Sequence, residues 1–295
     1  MSTLEDFGAL QAIVREEEPL GRHTWLGVGG RAKWYAEPTT QQELIDLVRL
    51  AARLGQPLRV IGGGSNILVS DHEVTGVVVA LDAPAFGHLD VAGLRMTVGA
   101  GARLGHVIST AVREGLAGLE ALVGIPGTVG GALRTNCSSH GASIGQWVES
   151  VTALNRQGEL LTLQRGDLHF GYRHSNLDGL VVVSAVLVLE SGDPAEITRR
   201  MQKLWIVRRA SQPSGEVPYA RLFKDTQGES ASKLIEMAGQ KNARAGKALL
   251  HQADPNFVVL EPGATSTDVL ALLERVSSEV TNQLGVDLQP AIQIW

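Results

Sequence analysis

The chain has 295 residues, 44% of them hydrophobic and 19% charged, with a formal net charge of −5. That composition supplies apolar surface for more than one core and excludes a largely disordered chain. It lacks the basic excess of a general nucleic-acid binder, so no nucleic-acid partner is expected.

The first stretch, MSTLEDFGALQAIVREEEPLG, carries acidic residues where a signal peptide has a basic region followed by an apolar run. It has no assignable role. The helix pattern begins at TTQQELIDLVRLAARLG, where a threonine cap opens it, Leu44, Leu47, Val48, Ala51 and Leu54 fall at helical spacing, and Gly55 stops it. PLRVIGGGSN reads as a strand running into a glycine loop, and GVVVALD as another strand.

The middle is richer in strands. LRMTVGAGA is strand-like, RLGHVISTAVREG is an amphipathic helix ended by Gly115, and SVTALNRQGELLTL reads as two strands about the turn RQG. GLVVVSAVLVLE, the longest apolar run, is the mark of a strand covered on both faces. It is too short and β-branched to cross a membrane as a helix, so neither a span nor a membrane partner is expected. GDPAEITRRMQKLWIVRRASQP opens with Asp193 as N-cap and Pro194 at the first helical position, and its arginines and lysine read as a solvated face. The single cysteine, Cys137, excludes an internal disulfide, and a packed small side chain is its expected role. With no leader, it fits a cytoplasmic protein.

The last third alternates loop, helix and strand. In PYARLFKDTQGESASKLIEMAG a polar loop crowds Tyr219, Arg221, Lys224 and Asp225 together before a helix from Ser230 to Gly239. NFVVLEPG is a strand, TSTDVLALLERVSSEVTNQLG a long helix with Thr265 and Asp268 at capping-box spacing, and VDLQPAIQIW a final strand. Changes of texture put boundaries near 82 and 207, giving three expected pieces, 18–82, 83–206 and 207–295, with the last strand able to return to the first of them.

Three glycine-rich stretches stand out, TWLGVGGRA (24–32), VIGGGSNILVS (60–70) and GIPGTVGGALRTNCSSHG (124–141). Bare backbone N–H groups can cradle an anionic group such as a pyrophosphate; clustered glycines also simply make tight turns. No G-x-G-x-x-G opens a helix and no G-K-[ST] occurs, so a Rossmann or Walker site is excluded. Three such loops favour a large dinucleotide held by another architecture. No metal site is expected.

These loops, together with FGYRHS, LFKD, SASKLIEMAG, NFVV and GATSTDVLALLERV in that order, resemble the UDP-N-acetylenolpyruvoylglucosamine reductase (MurB) family over about 20–295. The resemblance implies an α+β fold: a two-part FAD-binding region of the vanillyl-alcohol-oxidase/PCMH type, 18–82 and 83–206, and a C-terminal α+β substrate domain. It implies FAD as cofactor, NADPH as reductant and a UDP-sugar substrate, with UDP-N-acetylmuramate as product of a monomeric enzyme of peptidoglycan synthesis. The short passage after FGYRHSNLDG looks like the type II form, which lacks an extra tyrosine loop.

Residue by residue, the resemblance assigns FAD contacts to Gly62, Gly63, Gly64, Ser65, Asn66, Gly124, Ile125, Pro126, Gly127, Thr128, Gly130, Gly131 and Asn136. It assigns Arg173 to the developing charge on the substrate carboxylate, where a cation lowers the barrier, and Tyr172, Lys224 and Asn256 to substrate binding. From the residues alone, FGYRHS is a polar loop whose arginine reads first as a surface residue, and Asn256 is equally a turn residue before a strand. The sequence departs from the family pattern in TNCSSHG, where Cys137, Ser138, Ser139 and His140 replace small residues and an aromatic, and at two places that bear on the chemistry. Arg221 stands where the family has its proton-donating serine, and Ala291 where it has a glutamate. Arginine stays charged and is a poor general acid. Tyr219, two residues earlier, is the available donor, with a pKa expected to be lowered by the neighbouring cation. Three readings follow: a reductase with altered proton delivery, a flavin- or nucleotide-binding paralogue that has lost the reaction, or a related flavin oxidoreductase acting on another substrate.

Overall fold

The computed structural model describes residues 3–210, 212–213, 218–226 and 228–295; of the stretches read above, Met1, Ser2, Ser211 and Gln227 lie outside them. The chain forms two compact units, each assembled from separated segments.

The first unit takes residues up to Glu18, Ala32–Gly63 and Thr75–Ile206. Helix α1, Gln41–Arg53, starts where expected: the Thr40 hydroxyl accepts the Glu43 N–H and the Glu43 carboxylate accepts the Thr40 N–H. It buries Leu44, Leu47, Val48, Leu50 and Ala51. A four-stranded sheet runs in the order Val14–Pro19, Arg31–Ala36, Val74–Ala80, Leu58–Ile61, its last two strands parallel. A five-stranded antiparallel sheet runs Leu160–Gln164, Val148–Leu154, Val181–Val188, Arg95–Gly99, Leu89–Ala92. Helices α2 (Leu104–Arg113), α3 (Val129–Arg134) and α4 (Pro194–Ala210) complete the unit, α4 running on past its edge.

Both sheets feed one core. Trp34, Val77 and Val79 from the smaller sheet share it with Met96, Val98, Val151 and Leu187 from the larger. The expected boundary near 82 therefore separates nothing: Leu81 and Phe86, on either side of it, are buried in the same cluster. The change of texture there marks a turn between two sheets, not a gap between two cores. The acidic N-terminal stretch also acquires a role. Leu4–Ile13 forms a short helical run that buries Phe7 against Trp34, ring centroids 5.0 Å apart, and Val14–Pro19 becomes the sheet's edge.

The second unit takes Pro19–Arg31, Gly64–Val74 and Val207–Trp295. Its own core gathers Leu26, Leu68, Leu222, Phe223, Val258, Leu272, Val276 and Ile292. An antiparallel sheet, Tyr219–Arg221, Phe257–Leu260, Ala248–Leu250, Arg244–Ala245, sits with helices α5 (Ala231–Met237) and α6 (Ser266–Leu284). Thr265 and Asp268 form the capping box that their spacing implied, and Gly285 ends α6 in the left-handed conformation, φ 69°. Asp71 adds a cap from far away in sequence: it accepts the Ser266 N–H at 3.1 Å and the Thr267 N–H and hydroxyl at 3.1 and 2.8 Å. The final strand, Gln293–Ile294, pairs in parallel with Ile67–Leu68. Segments 19–31 and 64–74, expected in the first domain, thus serve the C-terminal unit's core and sheet.

Candidate functional site

The three glycine loops divide by what their glycines face. In the first, 24–32, Gly29 (φ 118°) and Gly30 sit backbone-on-backbone in their own unit. A Cβ on Gly29 would lie 2.6 Å from Val69 Cβ, and one on Gly30 would collide with the carbonyl of His72. Gly30 also donates to Ser70 O at 2.7 Å. Packing alone accounts for this loop.

In the first unit, the second and third loops meet. A Cβ on Gly62 would lie 2.5 Å from Thr128 Oγ1, and one on Gly63 2.6 Å from Gly127 Cα. Gly124 and Gly127 take φ of 77° and 105°, a region side chains avoid. The third loop is strapped to the start of α2, with Leu104 N–H donating to Gly127 O at 3.0 Å and Val129 N–H to Ala102 O at 2.9 Å. Gly130 is pressed on Ala100, whose Cβ would be 3.2 Å from an added methyl. Gly131 differs: an added Cβ would meet nothing closer than Thr128 Oγ1 at 3.8 Å. No protein atom demands glycine there, so its bare backbone leaves room for a bound group to approach. These residues fit a dinucleotide cradle on that ground.

Gly64, Ser65 and Asn66 fall in the second unit. Gly64 (φ 62°) lies against His23, and the Asn66 amide, expected at the cofactor, donates to Ala291 O at 3.0 Å. The Asn66 carbonyl accepts from Gln293 N–H at 2.9 Å. The residue thus ties the glycine loop to the C-terminal strand.

Asn136 is also occupied. It is buried, its Nδ2 donates to Gly171 O at 2.8 Å, and its Oδ1 accepts the Gly145 N–H at 3.0 Å. Gly171 belongs to a hairpin that the sequence presented only as a polar loop. Phe170–Gly171 pairs with His174–Ser175, leaving Tyr172 and Arg173 as its two-residue turn. Arg173 takes φ 55°, a conformation costly for any residue but glycine, and its guanidinium carbon lies 5.9 Å from the Tyr172 ring centre. Tyr172 is 54% exposed, so the turn carries an aromatic face and a cation outward together.

In the second unit, strand alternation sends Tyr219 and Arg221 to one face while Ala220 enters the core. Phe257 lies opposite Arg221 in register. Its ring meets Tyr219 edge-on at 5.8 Å and the Arg221 guanidinium at 5.7 Å. Trp25 also meets Tyr219 edge-on, 5.7 Å between centroids. Arg221 Nη2 reaches both Asp225 oxygens at 3.3 and 3.4 Å, and Asp225 Oδ1 also holds the Ala231 N–H at 3.0 Å, at the start of α5. Sequence showed Asp225 beside Lys224 but gave no sign that it pairs with Arg221. Trp25 and Phe257 likewise had no signal in their spacing. The expected lowering of the Tyr219 pKa is reversed: burial raises it, and outweighs the opposing pull of Arg208 and Arg209.

Lys224 follows on a segment running beside 289–291, with Lys224 N–H donating to Gln289 O and Ala291 N–H to Leu222 O, both at 2.8 Å. Position 291 therefore lies one residue across from 221. Asn256, expected at the substrate, is fully buried. Its Oδ1 accepts the Phe223 N–H and its Nδ2 donates to Phe223 O, each at 2.9 Å, fixing the chain just before Lys224.

Helix α4 keeps its basic residues on an exposed face, and one of them acquires a partner: Arg200, itself exposed, bonds the buried Glu120 at 2.8 Å, and Glu120 in turn accepts the Gly118 N–H at 2.6 Å. Cys137 is buried. Among the described residues no cluster of His, Cys, Asp or Glu could hold a metal ion, and no helix is long and apolar enough to cross a membrane.

Comparison with known proteins divides the chain in two along the sequence. Residues 32–164 match a family model described as an FAD binding domain, and 212–295 match one described as the C-terminal domain of UDP-N-acetylenolpyruvoylglucosamine reductase. A UDP-N-acetylenolpyruvoylglucosamine reductase of Rhodopirellula baltica is 41% identical over 96% of this chain and 93% of its own length. The UDP-N-acetylenolpyruvoylglucosamine reductase 2 of Symbiobacterium thermophilum is 37% identical over 96% and 92%. The crystal structure of UDP-N-acetylenolpyruvylglucosamine reductase from Thermus caldophilus superposes with a TM-score of 0.83 at 34% identity, covering 96% of this chain and 99% of that one.

Proposed function

The chain belongs to the UDP-N-acetylenolpyruvoylglucosamine reductase family, and from that footing we propose that it reduces UDP-N-acetylglucosamine enolpyruvate to UDP-N-acetylmuramate with NADPH. It is an FAD-dependent oxidoreductase of peptidoglycan synthesis, acting in the cytoplasm as a monomer. Coverage carries this assignment: one chain holds both the FAD-binding stretch and the reductase's C-terminal domain, with relatives bearing that name along 96% of its length. Nothing in them favours a binding-only paralogue.

Gly62, Gly63 and the loop Gly124, Ile125, Pro126, Gly127, Thr128, Gly130 and Gly131 hold FAD, with Gly64 and Ser65 contributing from the neighbouring segment. Asn66 acts by anchoring that segment. Bound there, FAD supplies hydride transfer from NADPH to the methylene carbon of the enolpyruvyl group. Arg173 faces the charge that this addition pushes toward the substrate carboxylate, and Tyr172 packs beside it. Lys224 pairs with the anionic nucleotide as a point charge, in a position that Asn256 fixes through Phe223.

The adjacent carbon then needs a proton. Arg221 cannot give one; held between Phe257 and Asp225, it is a restrained cation that stabilises charge. Tyr219 shares its strand face and carries its proton at neutral pH, as any tyrosine does, and burial raises its pKa further. It is the donor in this assignment.

Anaerobic mixing tests both parts. The purified protein is expected to be yellow, to bleach with NADPH and to regain colour with the enolpyruvyl sugar nucleotide. Bleaching without recovery would leave a flavoprotein that is not this reductase. Tyr219→Phe is expected to slow recovery by roughly 10²–10⁴-fold, and Arg221→Ala by less. Full recovery in Tyr219→Phe would remove Tyr219 from the role of donor.

A further inference from the structure

The turn that presents Arg173 is strained. A two-residue hairpin turn favours glycine where φ is positive, yet Arg173 sits there at φ 55°. The paired strands flanking it are only two residues each, Phe170–Gly171 and His174–Ser175. Asn176 closes their base, its N–H donating to His169 O at 3.1 Å and its Oδ1 accepting the His169 N–H at 2.9 Å. Nearer the turn, the bonds that hold the hairpin in place come from outside it. The Asn136 amide donates to Gly171 O at 2.8 Å, and the Ser175 hydroxyl donates to Arg134 O at 2.9 Å. Both tethers reach the same place, the chain leaving the C-terminal end of α3 (Val129–Arg134). Both tethering side chains are buried, Asn136 at 6% exposure and Ser175 at 0%. Asn136 itself takes φ 42°, and its other amide atom is locked by the Gly145 N–H.

We propose that Asn136 and Ser175 are positioning residues for Arg173, a two-point clamp that holds the strained turn to the end of α3. The proposal rests on the assignment of Arg173 to the substrate carboxylate. The other end of α3 opens at Thr128, in the glycine loop assigned to FAD. Six residues of helix, roughly 9 Å of rise, therefore set the offset between the FAD-binding loop and the cation-bearing turn. Neither clamp residue needs to touch a ligand. Releasing either lets the turn relax toward unstrained backbone and moves the guanidinium, and a displacement of about 1 Å in a catalytic group costs on the order of 10²-fold in rate.

The half-reactions separate this from general damage. Asn136→Ala and Ser175→Ala are each compared with wild type for flavin content, from the visible absorbance of the purified protein. They are then compared for the rate at which NADPH bleaches the flavin, and for the rate at which the enolpyruvyl sugar nucleotide restores its colour. Both variants are expected to retain FAD and to bleach within about twofold of wild type, while colour returns roughly 10- to 100-fold more slowly. Arg173→Lys, the control, is expected to slow the same step. Wild-type recovery in both clamp variants beside a slow Arg173→Lys would overturn the clamp, as would loss of FAD or equal slowing of both steps. Wild-type recovery in Arg173→Lys and Arg173→Ala would overturn the assignment of Arg173 instead. Should Asn136→Ala not fold, Ser175→Ala decides alone, since it removes one hydroxyl and leaves the amide in place.

Discussion

Replacing Asn256 with alanine should unsettle the second unit by an amount that can be worked from its bonds. The side chain is fully buried, and both ends of its amide are committed to one residue, Phe223, at 2.9 Å each. Phe223 is itself 1% exposed. Truncation orphans one buried N–H and one buried carbonyl, each worth about 1–3 kcal/mol when left unpaired. The expected loss is about 2–5 kcal/mol, the lower end applying if water enters the vacated space. Asn256→Asp sharpens the test because it is nearly isosteric. One carboxyl oxygen still accepts the Phe223 N–H, but the other faces the Phe223 carbonyl and must carry a proton to bond it. Burial and that carbonyl raise the folded-state pKa of the introduced carboxyl above its unfolded value of about 3.9. Its contribution is then full below about pH 4 and is lost as pH rises through the folded value, by up to about 1.4 kcal/mol per pH unit. Denaturant unfolding followed by fluorescence, across about pH 4–8, reads both variants. An Asn256→Ala stability within about 0.5 kcal/mol of wild type, or an Asn256→Asp profile parallel to wild type, would refute the clamp on Phe223.

Other outcomes follow from the same geometry. Gly131→Val should lower FAD content with little loss of fold, whereas Gly30→Ala should destabilise the protein and leave flavin affinity of the folded fraction intact; absorbance and thermal unfolding separate them. Arg173→Gly should stabilise the chain by up to about 1 kcal/mol by removing a strained side chain, while slowing flavin reoxidation by substrate about 10²-fold or more. For Asp71, burial pushes the carboxyl pKa up, but the hydrogen bonds from Thr267 and Ser266 win and hold it below the usual range. Its cap on α6 therefore contributes above about pH 4 and is lost as pH falls through the lowered value. Asp71→Ala should cost about 0.5–1 kcal/mol at pH 7, discounted for the exposure of Asp71, and progressively less as pH falls below about 4.

The local rules were legible in the sequence. Thr40 and Thr265 begin their helices as capping chemistry requires, and the apolar run at 181–188 lies at the centre of a sheet. The division into units was not legible, because it depends on which core a side chain joins. Leu26 and Leu68 look no different in sequence from Leu44 and Leu81, yet they enter another cluster. The asparagines teach the same lesson about the site. The resemblance assigns Asn66, Asn136 and Asn256 to bound ligands. Their partners are backbone groups 225, 35 and 33 residues away, distances at which sequence offers no register. Arg173, by contrast, was found through its motif, but its strained turn and the residues holding it were visible only in the folded chain.

The interleaving of the two units bears on how this chain is made. Residues 19–31 and 64–74 leave the ribosome before residue 206, but the strand that pairs with Ile67–Leu68, Gln293–Ile294, follows well after it. The first unit can close its core once residue 206 has emerged, while the early pieces of the second must wait unpaired until residues 293–294 follow. Leu26 and Leu68 are then exposed apolar groups awaiting a partner, and they are where a chaperone would find the nascent chain. A chain cut before Gln293 would hold a finished first unit and a second that lacks its closing strand.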